Sequence, residues 1–267
     1  MNSRIEACAR RLVDVRRSGG MLEELPDLLA STSLNDAYSI QSQGIRLWPD
    51  EVVGWKVGAT SKEVQSVFGI SQPVYGPVFK KNVFESPVSL DVAAFQHRMV
   101  EAEFAFRFGD DLPSRKKPYT RDEIVAAIDA VIPSIEIISP RLKTLTTSHI
   151  STVIADFCAN GGAVLGRARN DWRHLDLVSH FVTLSLDGVR CREGSGALVL
   201  GNPLNAVEWL VNALGEHGAS IKKDQFILAG TMTGINAAEV NSLCRADFGD
   251  LGTVDLVFEM QSDGFQG

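Results

Sequence analysis

No stretch of this 267-residue chain approaches the roughly 18 consecutive apolar residues of a membrane-spanning helix. The richest segment, Ile124 to Ile138, is cut by Asp129, Pro133 and Glu136. A membrane is therefore not expected as a partner. Basic blocks are missing as well. The 26 Lys and Arg residues are outnumbered by 33 Asp and Glu, for a net charge of −7, which argues against nucleic acid and anionic lipid. Cysteine is scarce: Cys8, Cys158, Cys191 and Cys244 lie far apart and form no C-x-x-C pair. Neither a disulfide framework nor a zinc knuckle is expected, and the thiols read as reduced and cytoplasmic. The N-terminus places charges where a signal peptide needs an apolar run. Repeats and low-complexity tracts are absent. What remains is an ordinary globular composition, 45% hydrophobic and 22% charged. A chain this long can bury roughly 70–75% of its unfolded surface.

The first fifty residues read as helical. Ile5, Ala9, Leu12 and Val13 recur at helical spacing, and Ser33 sits three before Asp36 as an N-cap signal. After Glu51 the texture turns to short alternating runs rich in Val, Phe, Ile and Gly. The spacing places a boundary near residue 50, with 1–50 as a helical segment and 51–267 as the main domain. Within that domain, Thr120 and Glu123 have capping-box spacing, and Ile124, Ile128 and Val131 share a helical face, which predicts a helix over Thr120 to Val131. Asn202 to Leu214 predicts another, with Asn202 as N-cap, Pro203 in the first turn and Gly215 as the C-terminal cap. Phe181 to Leu186 alternates as a strand and meets the hairpin turn Asp187-Gly188. Phe226 to Ala229 and Val254 to Met260 read as further strands. The helices are too few for regular βαβ alternation, so the class is α+β with a largely β core.

The most informative segment is Val100-Glu101-Ala102-Glu103-Phe104-Ala105-Phe106-Arg107-Phe108. Strict alternation sends Ala102, Phe104, Phe106 and Phe108 to one face and Glu101, Glu103, Ala105 and Arg107 to the other. Two carboxylates that close repel unless a cation or a proton lies between them. A divalent metal resolves this, and all-oxygen ligation suits Mg²⁺ or Mn²⁺. A solvated face over a core face is the competing reading. A third acid, Glu136, sits inside the apolar run Ser134-Ile135-Glu136-Ile137-Ile138, where an unpaired carboxylate is rarely buried. Three carboxylates leave about three positions of an octahedron open. A 2-oxo acid can fill two of them and a water the third.

These residues resemble the fumarylacetoacetate hydrolase superfamily, with Glu-x-Glu on a strand and Pro133-x-x-Glu136-Ile137 about thirty residues on. Further segments are similar to its 2-keto-4-pentenoate hydratase and 4-oxalocrotonate decarboxylase branch. Gly54-Trp55-Lys56-Val57-Gly58-Ala59-Thr60-Ser61 resembles G-[YWH]-K-[VI]-G-x-T-S, and Gln72-Pro73-Val74-Tyr75-Gly76 resembles [QE]-P-D-[YF]-G. Ile154-Ala155-Asp156, closing on Gly161 and Leu165-Gly166, resembles the branch's [IV]-[SA]-D-N segment. Gly201-Asn202-Pro203-Leu204, Gly230-Thr231-Met232-Thr233 and Arg245-Ala246-Asp247-Phe248 resemble its C-terminal motifs. The match runs in order over roughly residues 35 to 260.

The resemblance implies a mixed β-sandwich roll of the fumarylacetoacetate hydrolase C-terminal type, with peripheral helices, a helical N-terminal segment and homo-oligomeric assembly. It implies Mg²⁺ or Mn²⁺ on Glu101, Glu103 and Glu136, with Lys56 as a catalytic residue; Asp156, which follows Val153-Ile154-Ala155, reads as a further catalytic residue at a strand end, either a base or an anchor for Lys56. Tyr75, Arg141 and Thr231 are the implied substrate contacts. The implied reaction adds water to a 2-hydroxy-dienoic acid to give a 4-hydroxy-2-oxo acid, in catabolism of aromatic or related compounds. An acylpyruvate C–C hydrolase, a 4-oxalocrotonate-type decarboxylase and a non-catalytic partner subunit stand as alternatives.

Three positions depart from the pattern. The branch's aspartate before [YF]-G is Val74 here, its Glu-Ile-x-Asp-Ser-Arg reads Glu136-Ile137-Ile138-Ser139-Pro140-Arg141, and Phe157 replaces an asparagine after Asp156. Fewer acids and an added apolar group predict an altered pocket polarity. Gly194-Ser195-Gly196 opens like a dinucleotide fingerprint but lacks its last glycine. The five histidines show no ligand spacing, although His149 precedes the Asp156 segment, and no G-x-S-x-G elbow is present.

Overall fold

Two of the described helices, early in the chain, carry apolar stripes that need partners. In a computed structural model, which describes residues 2–22, 33–142 and 149–260, helix α1 (Asn2–Arg17) packs on α2 (Leu34–Leu47). The Ser33 side chain caps α2 by accepting from the Asp36 N–H. Cys8, Ala9, Leu12, Leu22 and Ile40 fill the seam together with Leu142 and Ala155. Gln41 of α2 is buried and reaches into the main domain, where its amide donates to the carbonyls of Tyr75 (2.9 Å) and Ile154 (2.8 Å). The short helices are α3 (Lys62–Phe68), α4 (Arg121–Ala127) and α5 (Ile150–Ala155); α6 (Pro203–Glu216) is longer. Among the described residues no helix is long and apolar enough to cross a membrane.

Among the described residues, thirteen strands make two sheets. They are β1 (Val52–Gly58), β2 (Val74–Phe79), β3 (Val83–Glu85), β4 (Val88–Asp91), β5 (Met99–Phe108), β6 (Ile128–Ile138) and β7 (Asn160–Leu165). Then follow β8 (Phe181–Leu186), β9 (Val189–Ser195), β10 (Phe226–Thr231), β11 (Asn236–Ala237), β12 (Leu243–Asp247) and β13 (Thr253–Glu259). The first sheet runs β2-β1-β10-β5-β6-β7-β3, with β11 on β5; the second runs β4-β13-β12-β8-β9. The phenylalanine face of β5 turns to the second sheet: the Phe104 ring lies 5.7 Å from Phe248, and Phe95, ahead of β5, lies 5.4 Å from Phe258. That interface is the main core. The opposite face of β5 carries Glu101 and Glu103.

One predicted element is shorter than its periodicity suggested. The helix that opens at Thr120, with a complete Thr120–Glu123 capping box, ends at Ala127. Ile128 and Val131 belong to β6, where Val131 pairs with Phe106 and Ala130 with Arg107. Their β-branched side chains fit both periods, and pairing with β5 decides for the strand. Helix α6 starts as expected, with the Asn202 side chain accepting from the Leu204 N–H, but it runs through Gly215 to a cap at His217. The left-handed residue there is Gly218, at φ +74°. The Asp187-Gly188 hairpin has both residues at positive φ, 50° and 78°, which suits a primed two-residue turn.

Candidate active site

The β5–β6 ladder sets Glu101 directly opposite Glu136 and Glu103 opposite Ser134. The three carboxylates are buried, and an oxygen of each lies within 4.8 Å of the others. Like charges directly opposite across a ladder destabilise a sheet. Burial first, then Glu136, pushes the Glu101 carboxyl up to about 8; Lys56 and a hydrogen bond from Thr231 pull the other way. Burial and the two neighbouring acids hold Glu103 well above the ordinary carboxylate range. The cluster is therefore short of positive charge.

Each acid is held from outside its own strand. The Gly230 N–H donates to Glu103 Oε2 at 2.9 Å. Gly230 has φ +115°, and a Cβ there would lie 2.5 Å from Thr60, so only glycine lets the β10 end approach this closely. Asn160 Nδ2 donates to Glu136 Oε1 at 3.0 Å, and Lys56 Nζ lies 3.2 Å from the same oxygen. Burial alone would lower the Lys56 ammonium; Glu136 foremost, with Glu101 and Glu103, outweighs it and keeps the group above the usual lysine range. Glu103 Oε1 and Glu136 Oε2 are buried and have no hydrogen-bond partner among the described residues. Three hard oxygen donors with two unsatisfied buried oxygens fit a Mg²⁺-sized or Mn²⁺-sized ion.

The cluster lies beside a cavity of about 410 Å³. Lys56, Glu101 and Thr231 line its polar end. Thr231 also accepts from the Thr233 N–H at 3.2 Å. Val74 lines the cavity, so the acid that the motif usually carries is replaced here by an apolar wall.

Three of the expected site residues lie elsewhere. Tyr75 follows Val74 on β2, and alternation sends it to the other face. Its hydroxyl pairs with His217 Nδ1 at 2.8 Å and its ring stacks on Tyr38 at 4.5 Å. Asp156 is at the C-terminal cap of α5, not at a strand end. Its carboxylate accepts from the Arg141 N–H at 2.7 Å and from Arg16 Nη2 at 3.1 Å. It does not contact Lys56. Arg141 is buried beside this pair, with its guanidinium pushed down to about 10 by burial and by Arg16. Phe157 does not alter the pocket. It packs against Val13 and Phe79 with Arg16 over its ring, and the cavity wall is Cys158 instead. His149 is the N-cap residue of α5.

Asn160 and Arg16 were not singled out from the sequence. Phe157, Cys158 and Ala159 are all left-handed, at φ 52°, 55° and 58°. Each such residue costs about 1–2 kcal/mol, so something must hold the turn. Arg16 does so from α1: besides Asp156 it donates to the Asn160 carbonyl at 2.9 Å. The turn sets Cys158 in the cavity and the Asn160 amide on Glu136. Asn160 precedes the Gly161-Gly162 pair, a signal for an irregular strand start; nothing local marks Arg16. Arg16→Met is expected to cost about 3 kcal/mol in urea unfolding, since it removes the cation from a buried carboxylate and leaves it only the Arg141 N–H. An unchanged midpoint would show that the turn holds itself.

No family model matches the chain. Curated relatives do. It is 32% identical over 258 residues to the 2-keto-4-pentenoate hydratase of Paraburkholderia xenovorans (strain LB400), covering 95% of this chain and 94% of that protein. It is 31% identical over 259 residues to the 2-hydroxyhexa-2,4-dienoate hydratase of Comamonas testosteroni, covering 95% and 97%. Among solved structures, the 4-oxalocrotonate decarboxylase from Pseudomonas putida G7, complexed with magnesium and adipate, superposes with a TM-score of 0.89 at 25% identity, covering 97% and 98%. With a relative above 30% identity over nearly its whole length, and the fold in agreement, the chain belongs to the 2-keto-4-pentenoate hydratase family.

Proposed function

We propose that this chain is a divalent-metal-dependent hydro-lyase that adds water to a 2-hydroxy-2,4-dienoate and yields a 4-hydroxy-2-oxo acid. The observation that carries the reading is the pair of buried, unpartnered oxygens, Glu103 Oε1 and Glu136 Oε2, beside a cavity that also holds Lys56. Glu101, Glu103 and Glu136 would hold Mg²⁺ or Mn²⁺. When bound, the ion supplies Lewis-acid polarisation of the substrate's 2-oxygen. Lys56, at the polar end, binds the substrate carboxylate or moves a proton there. Thr231 offers a second hydroxyl contact at the same end. In the balanced reaction the 2-hydroxyl proton is lost and C5 gains one, then water gives its hydroxyl to C4 and a proton to C3. Asp156, Tyr75 and Arg141 act in this scheme through the scaffold, not on the substrate.

The same reading takes residues 1–50 as a helical segment ahead of a catalytic domain at 51–267. It also takes the two packed sheets as a sandwich roll, and the protein as a homo-oligomer. The four free cysteines support a reducing compartment such as the cytoplasm.

Proton NMR of 2-hydroxypenta-2,4-dienoate with the protein tests the activity. Mg²⁺-dependent appearance of 4-hydroxy-2-oxopentanoate, stopped by EDTA, is expected. Likeness to the decarboxylase favours a second reading, decarboxylation of 4-oxalocrotonate. Turnover of that diacid without hydration of the dienoate would replace the first reading by the second.

A further inference from the structure

Glu136 is held at one oxygen and left bare at the other. Lys56 Nζ and Asn160 Nδ2 both face Oε1, at 3.2 and 3.0 Å. Oε2 is buried and has no partner among the described residues. Glu103 repeats the arrangement, with the Gly230 N–H on Oε2 and a bare Oε1. The two donors on Glu136 differ in kind. Lys56 lines the cavity on a flexible four-carbon stem, and under the proposed function it turns to the substrate. Asn160 is not among the described residues that line the cavity. It is 3% exposed, so it can influence the chemistry only through Glu136.

An irregularity in the sheet puts the amide there. Glu136 and Ile138 share a face of β6. The β6–β7 ladder pairs Ile137 with Gly162 but Ile138 with Asn160, so Gly161 is an extra residue on β7. In an unbroken ladder Asn160 would turn to the face opposite Glu136. With the extra residue it lies across from Ile138 and shares the Glu136 face. That residue has to be small, since a Cβ on Gly161 would lie 2.8 Å from the Ser139 Cβ. The Asn160 carbonyl accepts from Arg16 at 2.9 Å, so the backbone is anchored independently of the side chain.

A carboxylate with one oxygen tied to the protein offers only the other to an ion. Single-oxygen ligation suits a small octahedral ion, whereas Ca²⁺ takes about six to eight oxygens and often uses both of a carboxylate. We propose that Asn160 is a positioning residue that turns Glu136 to one-oxygen ligation and so biases the metal site toward a Mg²⁺-sized ion over Ca²⁺. This rests on the reading of the three glutamates as a metal site. Asn160 keeps Glu136 in place when Lys56 is engaged by substrate, which leaves the lysine free for chemistry. Partners that hold a metal ligand in this way are worth about 10- to 100-fold in metal affinity.

Calorimetric titration of the metal-free protein with Mg²⁺ and with Ca²⁺ tests the assignment. Asn160→Ala deletes the donor and keeps the Arg16 tie to the backbone. Its Mg²⁺ affinity is expected to fall about 10- to 100-fold, and its Ca²⁺ affinity by less, because the larger ion accepts a rotated, two-oxygen carboxylate. The Mg²⁺-to-Ca²⁺ affinity ratio should therefore drop. Asn160→Asp keeps the shape and sets an acceptor against Glu136 Oε1, so it should lower the ratio as well, and it serves if the alanine variant does not fold. A residue that merely supports the fold would weaken both ions alike or neither. An unchanged or raised ratio in either folded variant would overturn the proposal and leave the metal site standing. If the wild-type protein binds neither ion, the metal reading falls, and the role of Asn160 with it.

Discussion

Lys56→Met should lower kcat by about 100- to 10,000-fold, the range for losing a positioned proton-transfer or charge-stabilising group. Methionine keeps the length and apolar stem of lysine, so the cavity wall survives and the loss is chemical. The same change has a second effect in the metal-free protein. Lys56 is 5% exposed and pairs with Glu136 at 3.2 Å. Its removal leaves a buried carboxylate cluster uncompensated, which costs about 3–5 kcal/mol. Saturating Mg²⁺ should recover much of that loss while turnover stays low. Lys56→Arg separates the two roles. It restores charge near Glu136, and with it stability, but its planar fork does not present a single ammonium at the same point. Steady-state kinetics and thermal unfolding, each with and without Mg²⁺, measure both. If Lys56→Met turns over like wild type, Lys56 is a structural counter-charge and another group handles the substrate carboxylate.

The site is legible in the sequence where local periodicity creates it and opaque where distant segments do. Glu101 and Glu103 share a face because the strand period is two, which five residues suffice to show. Glu136 stands out as an acid inside a run of isoleucines. Their meeting needs only that β5 and β6 pair, and Glu101 opposite Glu136 is the register that follows. Lys56 lies two strands from β5, across β10, and only its surrounding motif marks it. Which of Val74 and Tyr75 faces the cavity depends on how β2 sits in the sheet, which the motif that marked Tyr75 does not specify; the structure turns Val74 to the cavity. Asp156 was misread because a carboxylate after an apolar run looks like a strand-end base; in fact α5 ends there, and its partners are Arg16 and the Arg141 backbone. Arg16 and Asn160 are 144 residues apart in the chain, and no local pattern joins them. The helix predicted through Val131 failed for a related reason, since Ile128 and Val131 satisfy both periods until β5 pairs with them.

Glu103→Gln separates a metal site from a merely acidic core, because the two make opposite predictions for stability. Without metal, Glu103 is a buried carboxylate pushed by burial, Glu136 and Glu101. Glutamine removes that charge, keeps the shape, and still accepts from the Gly230 N–H that lies 2.9 Å from Oε2. The metal-free variant should therefore be at least as stable as wild type, in keeping with the neutral or favourable outcome of replacing poorly compensated buried charge. With Mg²⁺ the order should invert. A ligand at about 100 times its Kd stabilises the native state by about 2.7 kcal/mol, and a chain of this size gains about 2–4 °C in Tm per kcal/mol. Wild type should then rise by roughly 5–10 °C, and Glu103→Gln by little, because one of three hard donors has become a neutral amide. Turnover in the variant should be lost at any practical Mg²⁺ concentration. Thermal unfolding with Mg²⁺ and with EDTA gives all four values. Equal Mg²⁺ shifts in the two proteins would place the ion elsewhere. A large loss of stability in the metal-free variant would mean that the three glutamates hold the sheet together themselves, through protons they share.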